Sequence, residues 1–204
     1  MPMASAIAII IVCYLIGSIP SAYLVGRAVA GVDVRDEGEG NVGARNVFHV
    51  VGSRWGIVVF LADVAKGALA AAIVVVRDAP TWQVALAGAA VFVGHAYPVW
   101  LRFVGGKGLS TIAGFATVLM PVAVLLGALA AAVVWVPTRR FLPTTVAAIV
   151  VAIVGAPFVG VSMATVGVVL GLFVLAGVKR GLDESRMREI EARTGWDRTR
   201  GLRT

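Results

Sequence analysis

The sequence predicts an all-α integral membrane protein of about seven transmembrane helices, with the N-terminus outside and the C-terminus cytoplasmic. Three observations carry that expectation. First, 59% of the 204 residues are hydrophobic and 14% are charged, against about 45–50% and about 25% in ordinary soluble domains. A water-soluble globule of this length cannot bury so much apolar surface. Second, 59% of 204 is about 120 apolar residues, enough for six or seven crossings at roughly 20 residues each. Third, no stretch alternates as a strand would, and in lipid only helices or closed barrels satisfy their own backbone. The same composition excludes a disordered chain, a collagen-like chain and a soluble enzyme.

Seven apolar segments follow in order: 4–25, 55–76, 82–101, 109–119, 121–136, 141–156 and 161–178. The first is preceded by no basic residue, so the n-region of a secretory leader is missing. It holds Cys13, the single cysteine, which excludes an intrachain disulfide and a thiolate zinc site. The fourth is too short to cross upright. The fourth and fifth could instead be one long helix kinked at Pro121, but merging them would put Arg139 and Arg140 outside or break the alternation, so two segments are expected. The expected organisation is one helical bundle over 1–178 with glycine-rich cytoplasmic loops at 31–54 and 102–108. A polar, basic cytoplasmic tail occupies 179–204. In that tail Leu182, Met187 and Ile190 are too sparse for an isolated helix, and eight basic residues would hold it near anionic headgroups.

Charge sets the orientation. With seven spans and the C-terminus inside, the inner segments hold Arg27, Arg35, Arg45, Arg54, Arg102, Lys107, Arg139, Arg140 and the basic residues of the tail, sixteen of the eighteen in the chain. Arg77 lies outside and Lys66 within a span. Basic residues collect on the cytoplasmic side. The net charge of +7 therefore reads as topology, and no nucleic-acid partner is expected.

Function should lie where polar residues interrupt the lipid-facing trend. The loop Gly38-Glu39-Gly40-Asn41-Val42-Gly43-Ala44-Arg45-Asn46 matches G-x-G-x-x-G, but a membrane span precedes it where a dinucleotide fold needs a strand. Its glycines can still let backbone N–H groups converge on an anion, with Asn41, Arg45 and Asn46 as further donors. A flexible turn is the alternative. Gly105-Gly106-Lys107-Gly108 is not a Walker A sequence, because glycine follows the lysine. A lysine among glycines at a helix start suits a phosphate, or marks topology alone. Within the spans, Asp63 and Lys66 share a helix face, as a packing ion pair or as ligands. His95 is either a satisfied interior histidine or an acid, base or phosphate ligand.

In their order and spacing these residues resemble the PlsY family. The similarity rests on Gly17-Ser18-Ile19-Pro20-Ser21, the loop at 38–46, Asp63-x-x-Lys66-Gly67, Gly94-His95-x-x-Pro98 and Gly105-Gly106-Lys107-Gly108, and runs from about residue 14 to residue 180. It implies a bacterial inner-membrane enzyme of seven helices, with its site at the cytoplasmic face. The enzyme would move a fatty acyl group from acyl phosphate to glycerol 3-phosphate, giving 1-acyl-glycerol 3-phosphate in phospholipid synthesis. Its partners would be those two substrates and the lipid bilayer, with no cofactor and no metal. The implied catalytic residues are Lys107 and His95. The candidate substrate-binding residues are Ser18, Gly40, Asn41, Gly43, Arg45, Asn46, Asp63, Lys66, Gly105, Gly106 and Gly108.

The chain departs from the family pattern at four places. Glu39 stands where the family has serine, Arg45 where it has threonine, and His49 where it has arginine. The asparagine usual after the first basic residues of the tail is absent between Lys179 and Asp183. Glutamate beside a phosphate is repulsive unless Arg45 neutralises it. The alternatives are therefore the family reaction, an altered acceptor, or a non-catalytic relative that binds phosphorylated lipid precursors. Direct attack of the acceptor hydroxyl on the acyl phosphate is expected, with the proton going to the leaving phosphate or to His95.

Overall fold

A computed structural model describes residues 3–196. Helix α1 (Met3–Ser18) stops at the Ile19–Pro20 step. Helix α2 (Ser21–Val25) then runs into a π-helical turn (Gly26–Ala30) that ends at Gly31, whose φ is +70°. After a loop come α3 (Ala44–Val50), α4 (Ser53–Val75), α5 (Thr81–Ala96), a short 3-10 turn (Val99–Leu101), α6 (Leu109–Leu119), α7 (Pro121–Thr138), α8 (Phe141–Gly155) and α9 (Met163–Thr194). There is no strand among the described residues.

Six stretches among the described residues are long and apolar enough to cross a membrane: Ala4–Ala30, Ser53–Val75, Thr81–Leu101, Pro121–Thr138, Phe141–Val159 and Met163–Thr194. The seventh expected segment is α6, with 11 residues. At 1.5 Å per residue it is about 16 Å long, roughly half the hydrocarbon thickness. It ends before Pro121, as the missing proline N–H requires. All seven predicted segments are helical, and one of them is too short to span.

Close packing of helices without a hydrophobic drive between them needs small residues at the crossings. A Cβ on Gly67 would collide with the Thr111 carbonyl, and one on Gly114 with the Val64 carbonyl, which seats α4 against α6. Gly17 against Val91 and Gly94 against Tyr14 do the same for α1 and α5. One apolar core, including Cys13, Val74, Val91 and Phe115, joins α1, α4, α5, α6 and α9. The α7–α8 hairpin is held separately at one end by Met120, Ala123, Ala152 and Val169. Between the hairpin and α4, α6 and α9 a cleft remains.

The predicted solvated tail is corrected. Helix α9 runs unbroken to Thr194 and ends at Gly195 with φ +68°. Met187 and Ile190 are buried. Ile190 packs on Gly40 of the first loop, a contact that the sparse spacing of these residues does not reveal. The Thr194 hydroxyl donates to the Gly38 carbonyl at 3.2 Å, and Arg193 faces Asp36 at 3.5 Å. The Trp196 ring lies 5.2 Å from His49. Ion pairs Lys179–Asp183 and Glu184–Arg188 support the helix one turn apart. Residues 197–204 of the predicted tail lie outside the described residues.

Candidate active site

The first loop is organised by Asn46, whose side chain is fully buried. Its Oδ1 accepts from the Glu39 N–H at 3.1 Å, and its Nδ2 donates to the Val34 and Glu37 carbonyls at 2.7 and 3.0 Å. All of its hydrogen bonds are thus spent on the loop, so it positions the site and does not line the cleft. Gly40 also faces inward. With φ +64° it adopts a turn that other residues resist, and a Cβ there would lie 2.5 Å from Ile190. Arg35 ties this loop to the next through the Leu101 carbonyl at 3.2 Å, and its guanidinium holds the Asp33 carboxyl below the usual carboxylate range. What the loop presents to the cleft is Glu39, Asn41, Gly43 and Arg45.

The second loop differs from the expected phosphate cradle. The Gly105 and Gly106 N–H groups donate to the Ala96 and His95 carbonyls, each at 3.1 Å. Those donors are consumed. The glycines serve close approach instead. A Cβ on Gly105 would strike the His95 carbonyl, and one on Gly106 would strike His95 Nε2 and the Val42 carbonyl. This wedge carries Lys107 to the cleft, with Gly108 (φ +79°) turning the chain into α6. Burial pushes the Lys107 ammonium below the ordinary lysine value, and the Glu39 carboxylate opposes that shift.

In the bundle, Lys66 Nζ meets Asp63 Oδ1 at 2.8 Å, the Ile19 carbonyl at 2.8 Å and His95 Nδ1 at 3.3 Å. An ammonium has only hydrogens to offer. His95 Nδ1 must therefore accept, which leaves the ring proton on Nε2 and makes His95 a donor toward the cleft. Ser21, not the predicted Ser18, joins this cluster, donating to Asp63 Oδ1 at 3.1 Å. The Ser18 hydroxyl is turned back to the Tyr14 carbonyl one helical turn earlier, at 2.8 Å.

Asp63 and His95 of this cluster open onto a cleft of about 1280 Å3. Arg45, Lys107 and Arg180, from α3, the second loop and α9, line its polar end, with His95 and Asp63 beside them. Phe60, Ala113, Met120, Ile149 and Phe173 line the apolar remainder. Glu39 Oε2 lies 3.3 Å from Lys107 Nζ, and Glu39 Oε1 lies 3.5 Å from Arg45 Nε. The Arg45 guanidinium also stacks on Phe141 at 5.0 Å. Glu39 Oε1, Asn41 Oδ1 and Arg45 Nε make no hydrogen bond. Buried polar atoms are normally satisfied, so their clustering marks a place built for a polar ligand. A cationic head on an apolar slot suits a phosphorylated compound carrying an alkyl chain.

A family model described as glycerol-3-phosphate acyltransferase matches residues 7–184. The chain belongs to the glycerol-3-phosphate acyltransferase family. The Myxococcus xanthus glycerol-3-phosphate acyltransferase is 47% identical over 134 residues, covering 65% of this chain and 69% of that protein. The Syntrophotalea carbinolica glycerol-3-phosphate acyltransferase is 43% identical over 136 residues, again 65% and 69%. Crystal structures of PlsY, an integral membrane glycerol 3-phosphate acyltransferase, superpose with TM-scores of 0.78 (glycerol 3-phosphate form, 28% identity) and 0.74 (lysophosphatidic acid form, 26% identity). Each covers 91% of this chain and is itself covered to 92%. The resemblance read from the sequence is borne out, and the chain is a multi-pass integral membrane protein.

Within this acyltransferase fold, the structure brings Asn41, Gly43, Arg45, Asp63, His95, Lys107 and Gly108 to one cleft. Lys66 lies behind them. Ser18, Gly40, Asn46, Gly105 and Gly106 do not line the cleft; Asn46 holds the first loop, and Gly105 and Gly106 let the second approach His95. The sequence reading missed Arg180 and Ser21. The signal for Arg180 was the first basic pair after the last apolar segment. For Ser21 it was a hydroxyl following the proline that breaks the first span.

Proposed function

We propose that the chain transfers a fatty acyl group from acyl phosphate to glycerol 3-phosphate, yielding 1-acyl-glycerol 3-phosphate for phospholipid synthesis. The work is done at the cytoplasmic face of a bacterial inner membrane, with the N-terminus outside. The single observation that carries this reading is the joining of three cations, Arg45, Lys107 and Arg180, to an apolar cleft between helices. Two phosphate groups and one acyl chain match that lining.

In this reaction the acceptor hydroxyl oxygen attacks the acyl carbonyl carbon. The new ester C–O bond forms, the C–O bond to phosphate breaks, and the hydroxyl proton ends on the departing phosphate. Lys107, Arg45 and Arg180 neutralise the phosphates and orient them, which is most of what an activated acyl donor needs. His95 serves as a donor from Nε2, because Lys66 occupies Nδ1. Ser21 donates to Asp63 and not to His95, and that carboxylate is a weak base already neutralised by Lys66, so no acyl-enzyme is expected.

The test uses purified protein in lipid vesicles with palmitoyl phosphate and labelled glycerol 3-phosphate. Phosphate release should equal lipid product, and palmitoyl-coenzyme A should not replace the donor. Turnover with the thioester alone would contradict the donor assignment. The placement of Glu39 between Lys107 and Arg45 favours, as a second reading, an altered acceptor or a binding role. Binding of polyol phosphates with no transfer to any of them would support it.

A further inference from the structure

The Glu39 side chain lies between Arg45 and the second loop's Lys107. It is 4% exposed, and the groups facing its oxygens are Lys107 and Arg45. A buried carboxylate needs such cations. The same two cations, with Arg180, give the cleft its anion-binding head. A carboxylate and a phosphate make the same demand of lysine and arginine, and two anions cannot share that seat without repulsion. The fit of the carboxylate is incomplete. Glu39 Oε1 and Arg45 Nε, 3.5 Å apart, make no hydrogen bond with each other or with any other group. The backbone at Glu39 is pinned by Asn46 Oδ1 at 3.1 Å, so the side chain can swing out while the loop stays in place.

We infer that Glu39 is the resident anion of the site: its carboxylate holds Lys107 and Arg45 in place, and a substrate phosphate binds by displacing it. This deepens the acyltransferase reading and rests on it for the identity of the displacing group. It also assigns Glu39 a role in specificity. A phosphate monoester dianion out-competes one carboxylate for two cations. A phosphodiester, with a single negative charge, does not. The site therefore selects monoesters by charge, before any contact with the rest of the ligand.

The experiment titrates inorganic phosphate and dimethyl phosphate into the full chain in lipid nanodiscs, read by calorimetry. Glu39→Gln is expected to bind inorganic phosphate at least about tenfold more tightly than the unaltered protein, since the competing charge is gone. It should also accept dimethyl phosphate, which the unaltered protein rejects. Lys107→Met should lose phosphate binding in both backgrounds. Glu39→Asp, which keeps the charge but withdraws it from both cations, should tighten phosphate binding as well, and it serves if Glu39→Gln does not fold. Equal or weaker phosphate binding in these Glu39 variants overturns the displacement and leaves the acyltransferase reading standing. Absence of phosphate binding in every form, the unaltered protein included, overturns both.

Discussion

Replacing Gly106 by alanine tests how the second loop sets the position of Lys107. Gly106 is not among the positive-φ glycines, so alanine adopts this backbone without strain and only the new methyl group matters. That methyl group would overlap both His95 Nε2 and the Val42 carbonyl oxygen. Ordinary separation is about 3.5 Å, so the loop must retreat by about 1 Å. Overpacking of this kind costs about 1–3 kcal/mol of stability, which a folded bundle survives. A displacement of about 1 Å at a reacting centre costs about 100-fold in rate, or about 2.7 kcal/mol in the barrier. The assay is the initial rate of acyl transfer from palmitoyl phosphate to glycerol 3-phosphate in vesicles, with size-exclusion profiles recorded alongside. Gly171→Ala, where the added Cβ meets nothing, is the control and should be fully active. Activity in Gly106→Ala equal to the unaltered protein, with an unaltered profile, would refute the idea that this contact positions Lys107.

Lys66→Met should lower thermal stability by about 3–5 kcal/mol, because it strands the buried Asp63 carboxylate. Adding Asp63→Asn should restore most of the loss, as read by tryptophan fluorescence during melting. The depressed Lys107 ammonium loses its proton, and with it its hold on phosphate, as pH rises to values below those that neutralise an ordinary lysine. The alkaline limb of kcat/KM should therefore begin early, and Lys107→Arg, which stays charged, should remove that limb. Ending the chain after Arg186 removes the Ile190 contact with Gly40 and the Thr194 bond to Gly38. Burial of an isoleucine is worth about 1.5–3 kcal/mol. The truncated protein should still insert, yet show a raised KM for its phosphorylated substrate and faster tryptic cleavage of the first loop.

The helices were legible because the bilayer leaves a chain few choices, and because the charge alternation separates the segments on either side of Pro121. The extension of α9 was not legible. Ile190 is buried against Gly40, some 150 residues earlier in the chain, and helical periodicity carries no trace of such a contact. In the site, Lys107, Asn41 and Arg45 could be read from residue type and glycine context. Glu39 lies between Arg45 and Lys107, at 3.5 and 3.3 Å, and only the first of these neighbours was visible from sequence proximity. Gly105 and Gly106 misled, since a glycine needed for close approach and a glycine that frees an N–H look alike in sequence. Ser18 and Ser21 flank the same proline, and only the fold decides which hydroxyl meets Asp63.

Catalysis requires that Lys107 and Arg45 bind phosphate at the head of the acyl cleft. The most direct measurement is single-turnover transfer in vesicles, comparing the unaltered chain with Lys107→Ala and Arg45→Ala under saturating palmitoyl phosphate. The expected result is one lipid product per phosphate released in the unaltered protein and near-complete loss in both variants, each remaining folded. Unimpaired transfer in both folded variants would contradict that requirement.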